Sequence, residues 1–449
     1  MSSQPDRPTS PALARAAAWL EGLLNVERLP DLPYARLGLE PVQLLLARVG
    51  DPQRALSVVH VAGSKGKGST ALLVESILRA AGERVATFTS PHLERWTERF
   101  RIDGAEVADD ALAAALDALR PHVEAVAHGT PAHAPTFFDV TTAAAFLLFR
   151  DAGVDRAVIE VGLGGRLDST NVVDPAVACI TTIELEHTDR LGHTLAAIAR
   201  EKAGVLKPGR PAVVGALPDE ALGVVEARAR EVAAPLALLG RDFQVEVRAT
   251  GVAGLALRLR DGPLDVETTL PVLGAHQATN AALALACVRR LGAHPADALG
   301  SAASRGLAAA RLPGRVELLG RRPWVVVDGA HTEASARALA AALADLPRRR
   351  SRLVLSVSGG KNLGAILRCV APCADEIFVT RADAVRSLEP GEVAAALRAA
   401  GATAVIHAVP NPFLALRAAR EGLGPDDLLC ATGSVYLAGI ARRVLSGEL

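Results

Sequence analysis

Residues 57–62 of the chain read SVVHVA and run straight into Gly63-Ser64-Lys65-Gly66-Lys67-Gly68-Ser69-Thr70, after which a helix is predicted over Ser69–Ala81. A β-branched run, a glycine-rich turn and a helix in that order make one unit of a parallel sheet, because a parallel strand needs a long crossover to return over its sheet. The glycines let the backbone curl so that successive N–H groups face one point, and the helix start adds a positive dipole end, so the turn suits a phosphate. Lys67 can reach the outer phosphates of a nucleoside triphosphate, and Ser69 or Thr70 can touch a magnesium ion. The spacing departs from G-x-x-x-x-G-K-[ST]: two residues separate the first two glycines, and Gly68 follows the lysine. A glycine-rich turn that binds nothing is the alternative. The coincidence of strand, glycines, lysine, hydroxyl and helix favours the phosphate loop.

The same alternation continues along the chain. Strands are predicted at Val85–Phe88, Ala157–Val161, Val177–Ile183 and Ala212–Val214, with helices near Ala108–His128, Phe138–Asp151, Thr194–Val205 and Asp219–Val232. This is the pattern of a mostly parallel sheet covered on both faces. Between Phe243 and Leu270 apolar and polar residues alternate around turn signals, as in a small antiparallel element, and helices follow at His276–Leu291 and Pro295–Ala310. Pro313 and Gly314 mark a boundary, after which strands at Trp324–Val327, Leu353–Val357 and Glu376–Val379 alternate with helices again. The expected fold class is α/β: an N-terminal P-loop ATPase-type domain over residues 1–310 and a C-terminal Rossmann-like domain over residues 311–449. A cleft between two such domains is a natural place to enclose a ligand.

Composition removes several function classes. Lys+Arg and Asp+Glu both number 49, so a broad electrostatic grip on nucleic acid or anionic lipid is not expected, and aromatics at 3% make base-stacking platforms improbable. Any anion site must be built locally. The five cysteines, Cys179, Cys287, Cys369, Cys373 and Cys430, are scattered in apolar stretches and read as thiols of a reducing compartment. Cys369 and Cys373 fall four apart on a predicted helix without a second Cys/His pair, which argues against zinc. The start, MSSQPDRPTS, has Asp6 and Arg7 but no apolar region behind them, so it reads as a frayed tail. No apolar run reaches the roughly 18–20 residues of a membrane span. A cytoplasmic monomer is expected.

The loop HVAGSKGKGST resembles the nucleotide loop of the Mur ligase superfamily and, within it, the dihydrofolate synthase/folylpolyglutamate synthase family. Six further segments agree in order. Ser90-Pro91-His92-Leu93 with Glu98-Arg99-Phe100-Arg101-Ile102 is similar to SPHL…ERIRI, and Glu160 to Asn171 (EVGLGGRLDSTN) is close to EVGLGGRLDATN. Thr181-Thr182-Ile183 through His187-Thr188-Asp189 is similar to ITxIxxDHT, and Glu201-Lys202-Ala203-Gly204 to EKAG. Leu312-Pro313-Gly314-Arg315 with Asp328-Gly329-Ala330-His331 matches LPGR and DGAH, and Thr432-Gly433-Ser434-Val435-Tyr436-Leu437 resembles TGSLYL.

The resemblance implies amide formation driven by ATP, in which a carboxylate becomes an acyl phosphate that an amino group then attacks. It implies L-glutamate as the amine and dihydropteroate or a reduced folate as the acid. It also implies two Mg²⁺ ions held by Ser90, Glu160, His187 and Lys202, with Lys202 carbamylated. Glu160 ends a predicted strand, at the edge where α/β proteins bind ligands; a helix-capping carboxylate is its other reading. Asn280 is similar to the family's adenine contact, while Arg315, Asp328 and His331 are implied at the nucleotide and Ser434 and Tyr436 near the glutamate. The chain departs from the pattern at Thr332-Glu333 after DGAH, at Gly360-Lys361-Asn362 where DKD is usual, at Glu186 where Asp is usual, and at Thr136-Phe137-Phe138-Asp139. A Mur-type ligase with another carboxylate acceptor and a P-loop NTPase without ligase activity stand as the alternative functions.

Overall fold

The computed structural model describes residues 10–25 and 38–446. The tail reading therefore lies outside the described residues, save Ser10, whose hydroxyl accepts from Leu13 N and caps the first helix. Helices α1 (Pro11–Glu21) and α2 (Glu40–Arg48) precede the loop. Then come β1 (Val58–Ala62), α3 (Lys67–Ala80), β2 (Val85–Phe88), β3 (Phe100–Ile102), β4 (Ala105–Glu106), α4 (Asp109–Gly129), α5 (Phe137–Ala152) and β5 (Arg156–Glu160). They are followed by β6 (Val177–Ile180), α6 (Thr188–Leu191), α7 (Leu195–Ala203), β7 (Ala212–Val214), α8 (Asp219–Glu231) and β8 (Leu236–Leu238). These strands form one sheet in the order β4-β3-β2-β5-β1-β6-β7-β8. It is parallel from β2 to β8, with β3 and β4 antiparallel at one edge.

Strand β1 sits between β5 and β6 and is buried along its whole length, which is why its sequence is a continuous apolar run rather than an alternation. Its one polar residue, His60, is buried, meets Thr170 Oγ1 at 2.8 Å, and is held neutral by burial, its pKa lowered to about 3. The chain reverses its direction of travel across the sheet at β1. The carboxyl ends of β1, β5 and β6 therefore open on one crevice, where doubly wound sheets bind ligands.

A separate antiparallel sheet, β9 (Phe243–Gly251), β10 (Gly254–Asp261) and β11 (Leu264–Leu270), packs Leu255, Leu257 and Leu259 into the same core as α3 and the helices α9 (His276–Leu291) and α10 (Ala296–Ala309). Helices α10 and α3 touch at Gly306, where a Cβ would lie 2.6 Å from Ser76 O and 2.7 Å from Ile77 Cα. The C-terminal α/β domain contains β12 (Glu317–Arg321), β13 (Trp324–Val327), α11 (Glu333–Ala344), β14 (Ser351–Leu355), α12 (Leu363–Val370) and β15 (Glu376–Val379). It ends with α13 (Pro390–Ala399), β16 (Val405–Ala408), α14 (Pro412–Arg420), β17 (Leu428–Thr432) and α15 (Val435–Leu445). Its order is β12-β13-β17-β14-β15-β16, all parallel except β12.

The expected α/β class and the antiparallel element are both present. Some boundaries move for physical reasons. Helix α3 begins at Lys67, not Ser69, because Gly66 takes a left-handed conformation (φ 83°) and serves as its N-cap. Strand β6 stops at Ile180 because Thr181 and Thr182 turn to bond the glycine loop. Residues 317–321, just past the boundary marked by Pro313 and Gly314, are the edge strand β12. Cys373 lies beyond the end of α12 in a short 3-10 turn, so it does not share a helix with Cys369. All five cysteines are free thiols, and among the described residues no helix is long and apolar enough to cross a membrane.

Candidate active site

The glycine loop is held in shape by the strand next door. Ser64 N donates to Thr182 O at 2.8 Å, Lys65 N to Thr182 Oγ1 at 2.9 Å, and Thr181 Oγ1 donates to Lys65 O at 2.5 Å. These bonds use the amides of Ser64 and Lys65, and Thr70 N is bonded to Gly66 O, so the N–H groups left for an anion are those from Gly66 to Ser69, at the start of α3. Gly63 and Gly66 are the positions where glycine is required. A Cβ on Gly63 would fall 1.9 Å from Thr181 Oγ1, and one on Gly66 would fall 2.4 Å from Asn280 Oδ1.

Asn280 thus lies against the loop from α9. It also accepts from Thr70 Oγ1 at 3.4 Å and donates to Gln277 Oε1 at 2.7 Å. The Thr70 hydroxyl is turned to Asn280, whereas Ser69 Oγ has no hydrogen-bond partner among the described residues. Of the two hydroxyls left open by the sequence, Ser69 is the one available to a cation.

Four charged side chains from three segments meet beside the loop. Lys67 Nζ donates to Gly63 O at 3.0 Å, closing the loop on itself. Lys65 Nζ and Lys202 Nζ share Glu186, at 3.0 and 3.2 Å, and Lys202 also donates to Gly63 O at 2.9 Å. Burial opposes ionisation of Glu186, but Lys202, Lys65 and Lys67 outweigh it and hold the carboxyl well below the usual range. Burial lowers Lys202 to about 8 despite Glu186, with Lys67 and Lys65 pushing the same way. His187 follows directly, with a left-handed backbone (φ 47°) at the start of α6. Burial and then the surrounding cations Lys361, Lys67 and Lys65 outweigh Glu186 and bring His187 to about 4, so its imidazole is neutral and has a lone pair at neutral pH.

Glu160 closes the other side. It is the last residue of β5 and is buried; its Oε2 accepts from Ser90 N at 3.0 Å, and Oε1 has no hydrogen-bond partner among the described residues. Burial raises its pKa, while Lys67, the Ser90 N–H, Arg315 and Arg99 work to keep it ionised. A Cβ on Gly68 would come within 3.3 Å of Glu160 Oε2, so the carboxylate stands directly against the first turn of α3. Among the described residues its hydrogen bond runs to Ser90 N in a loop and to no helix end, so the helix-capping alternative for Glu160 has no support.

The C-terminal domain completes the crevice. Its Arg315 acts electrostatically on Glu160, and its Lys361 and His331 sense Lys65 across the gap. Burial lowers His331 to about 3, and its Nδ1 lies 2.8 Å from Gly329 O. Asp328 spends both carboxylate oxygens on backbone, accepting from Val316 N at 2.7 Å and Ala330 N at 2.7 Å, so it shapes the Arg315 turn. Ser434 Oγ caps α15 through Tyr436 N, and Tyr436 OH accepts from Arg386 at 2.8 Å.

No group of three or more His, Cys, Asp or Glu side chains among the described residues could hold a metal ion alone. Magnesium does not need one, since it takes one or two protein oxygens and completes its shell with phosphate and water. Glu160 Oε1 and the Ser69 hydroxyl are donors of that kind, and neutral His187 offers a nitrogen lone pair beside them. Lys202 as an ammonium is not, because its nitrogen has no lone pair; it donates to Gly63 O and Glu186 instead. Sequence reading did not foresee the pairing of Glu186 with both Lys65 and Lys202, nor the approach of Arg99 and Arg386, and no local motif signals any of them.

Comparison with known proteins matches residues 61–288 to the Mur ligase middle domain and residues 314–435 to the Mur ligase glutamate ligase domain. The chain is 33% identical over 439 residues to the dihydrofolate synthase/folylpolyglutamate synthase of Bacillus subtilis, covering 96% of this chain and 98% of that one. It is 38% identical over 425 residues to a "Probable bifunctional folylpolyglutamate synthase/dihydropteroate synthase" of Halobacterium salinarum, covering 94% of this chain but spanning only 50% of that relative's length. Among solved structures, Mycobacterium tuberculosis folylpolyglutamate synthase complexed with ADP superposes with a TM-score of 0.88 at 33% identity, over 97% of this chain and 98% of that one. E. coli FolC in complex with DHPP and ADP gives a TM-score of 0.85 at 30% identity, over 98% and 100%.

Proposed function

Because this chain belongs to the dihydrofolate synthase/folylpolyglutamate synthase family of Mur ligases, we propose that it is an ATP-dependent ligase joining L-glutamate to dihydropteroate, to a reduced folate, or to both. One observation carries the reading: Glu160, Lys67 and the amino end of α3 stand together at the carboxyl edge of the first sheet, facing Arg315, His331 and Lys361 of the C-terminal domain. We place the division between the domains at residues 310 and 311, with the enzyme acting as a monomer in the cytoplasm.

The triphosphate and the acceptor carboxylate are both anions, so their approach is repulsive unless charge is neutralised in advance. In this reading Lys67 exchanges Gly63 O for the outer phosphates, and the α3 amides take the phosphate oxygens. Arg315 supplies positive charge from the opposite wall. Asn280, with both donor and acceptor on its amide, reads the adenine edge. Magnesium supplies charge neutralisation across the phosphates, and Glu160, Ser69, Ser90 and His187 are the residues that would hold two such ions. A lysine at about 8 has an appreciable neutral fraction near neutral pH, which carbamylation of Lys202 requires. Carbamylation would set a second anion beside Glu186, a pair that only a cation would tolerate. The acceptor carboxylate attacks the γ-phosphorus, ADP leaves, and the glutamate amine displaces phosphate from the acyl carbon. Ser434 and Tyr436 are the candidates to orient that amino acid.

The test is Mg²⁺-dependent ADP release by the purified protein with L-glutamate and, separately, dihydropteroate and mono- and diglutamyl reduced folates. Release that requires both glutamate and a pterin acid supports the reading. Release without any acceptor, or with none of these, overturns it.

A further inference from the structure

The loop between β2 and β3 leaves the first sheet and enters the interior of the other domain. Leu93 is 8% exposed and belongs to the C-terminal core, among Val327, Leu437, Ala438 and Ala441. Two glycines of that domain make room for it. A Cβ on Gly439 would lie 2.0 Å from Leu93 O, and one on Gly314 would lie 2.9 Å from Leu93 Cδ1. The next residue, Glu94, is 9% exposed and accepts from Arg442 Nη1 of α15 at 2.6 Å, and Arg442 Nε is held in turn by Glu317 at 2.7 Å. The loop is stiff: Glu98 accepts from Leu93 N, Glu94 N and Arg95 N at 2.7, 2.8 and 2.9 Å. At its other end Ser90 N donates to Glu160 Oε2. A rigid segment thus has one end fixed in the C-terminal domain and the other on the carboxylate that faces α3.

We infer that Leu93, Glu94 and Arg442 are positioning residues, which set where the Glu160 carboxylate stands by fixing residues 90–95 to the C-terminal domain. This rests on the ligase reading for its consequence, though not for its geometry. Seating of the C-terminal domain and orientation of Glu160 are then one event. Loosening the Glu94–Arg442 contact lets Ser90 N drift from Glu160 without touching the phosphate loop, whose bonds run to Thr181 and Thr182 instead. A displacement of the order of 1 Å at a reacting centre costs up to ~100-fold in rate.

The experiment uses the full chain with Glu94→Gln and Arg442→Ala, and Arg442→Lys as the conservative variant. Hydrogen exchange needs no turnover: both disruptive variants should speed exchange of the 88–100 peptide while leaving the 58–70 peptide unchanged. In the ADP-release assay kcat should fall about 10- to 100-fold and the Mg²⁺ concentration for half-maximal rate should rise, with ATP binding within about twofold and partial recovery in Arg442→Lys. Faster exchange confined to α15 and its neighbours, with the 88–100 peptide protected as in the parent, overturns the inference, as does an unchanged kcat. If the parent protein releases no ADP with any pterin acid, the ligase reading falls, and the exchange result alone decides the linkage. Should Arg442→Ala not fold, Glu94→Gln, which leaves the Arg442–Glu317 pair in place, gives the same two readouts.

Discussion

Replacing Glu186 by Gln should destabilise the folded chain by about 2–3 kcal/mol at pH 7, and by less at higher pH. Glu186 is 10% exposed on its side chain and is the shared partner of Lys65 and Lys202, the latter 2% exposed. Removing one partner of a buried pair costs roughly 3–5 kcal/mol because the other charge is stranded; glutamine keeps a polar acceptor and recovers part of that. The pH dependence follows from Lys202, whose pKa falls from 10.5 in the unfolded chain to about 8 in the folded one. Each pKa unit is about 1.4 kcal/mol, so the buried ammonium already opposes folding by about 3 kcal/mol at neutral pH, even with Glu186 present. That opposition is relieved as pH rises through the folded value. Without Glu186 the folded value drops further and relief begins at lower pH. Urea unfolding at about pH 7 and pH 9 reads both effects. A loss below about 0.5 kcal/mol, or one equal at the two pH values, would refute the reasoning. A gain in stability would mean that Lys202 carries an anionic carbamate, and adding bicarbonate with Mg²⁺ should move the variant in that direction.

Three further outcomes are expected. Lys67→Ala should lower turnover at least ~100-fold while circular dichroism stays as in the parent, because among the described residues the lysine's hydrogen bond runs to its own loop; near-normal turnover would remove it from the phosphate site. Gly66→Ala should cost about 1–2 kcal/mol and weaken ATP binding about tenfold in calorimetry, since the residue has φ 83° and its Cβ would strike Asn280. His187, lowered to about 4 by burial and then by the cations around it, should not titrate between about pH 5.5 and 8 in NMR spectra of the ligand-free protein, and a midpoint near 6.5 would show that the ring is not buried beside those cations as in the structure.

What the chain declares locally, it declares clearly. The continuous apolar run of β1 and the glycines at 63 and 66 are contained within a dozen residues, so periodicity and turn chemistry find them, although the cap at Gly66 starts α3 two residues earlier than the sequence reading does. The alternation of β9 to β11 is equally visible, since each hairpin closes within a few residues. Other features are settled by partners far along the chain. Nothing near Thr181 says that its hydroxyl will hold Lys65 O, and that bond, not strand propensity, ends β6. Glu186 looks like a conservative exchange for Asp until Lys65 and Lys202 are seen on its two oxygens. The hairpin β3–β4 and edge strand β12 are too short to show a period, and the motif that contains Leu93 does not say that its side chain enters the C-terminal core.

Leu93 has a consequence for anyone who cuts or splices this fold. The two domains suggest an obvious place to divide the gene, yet the N-terminal half carries a piece of the other's interior. A fragment ending before residue 311 would hold Leu93 out in water, and its complement would be left with a leucine-shaped dent between Gly314 and Gly439. Chimaeras that exchange the C-terminal half between relatives should therefore work only when the stretch from residue 90 to 99 travels with it.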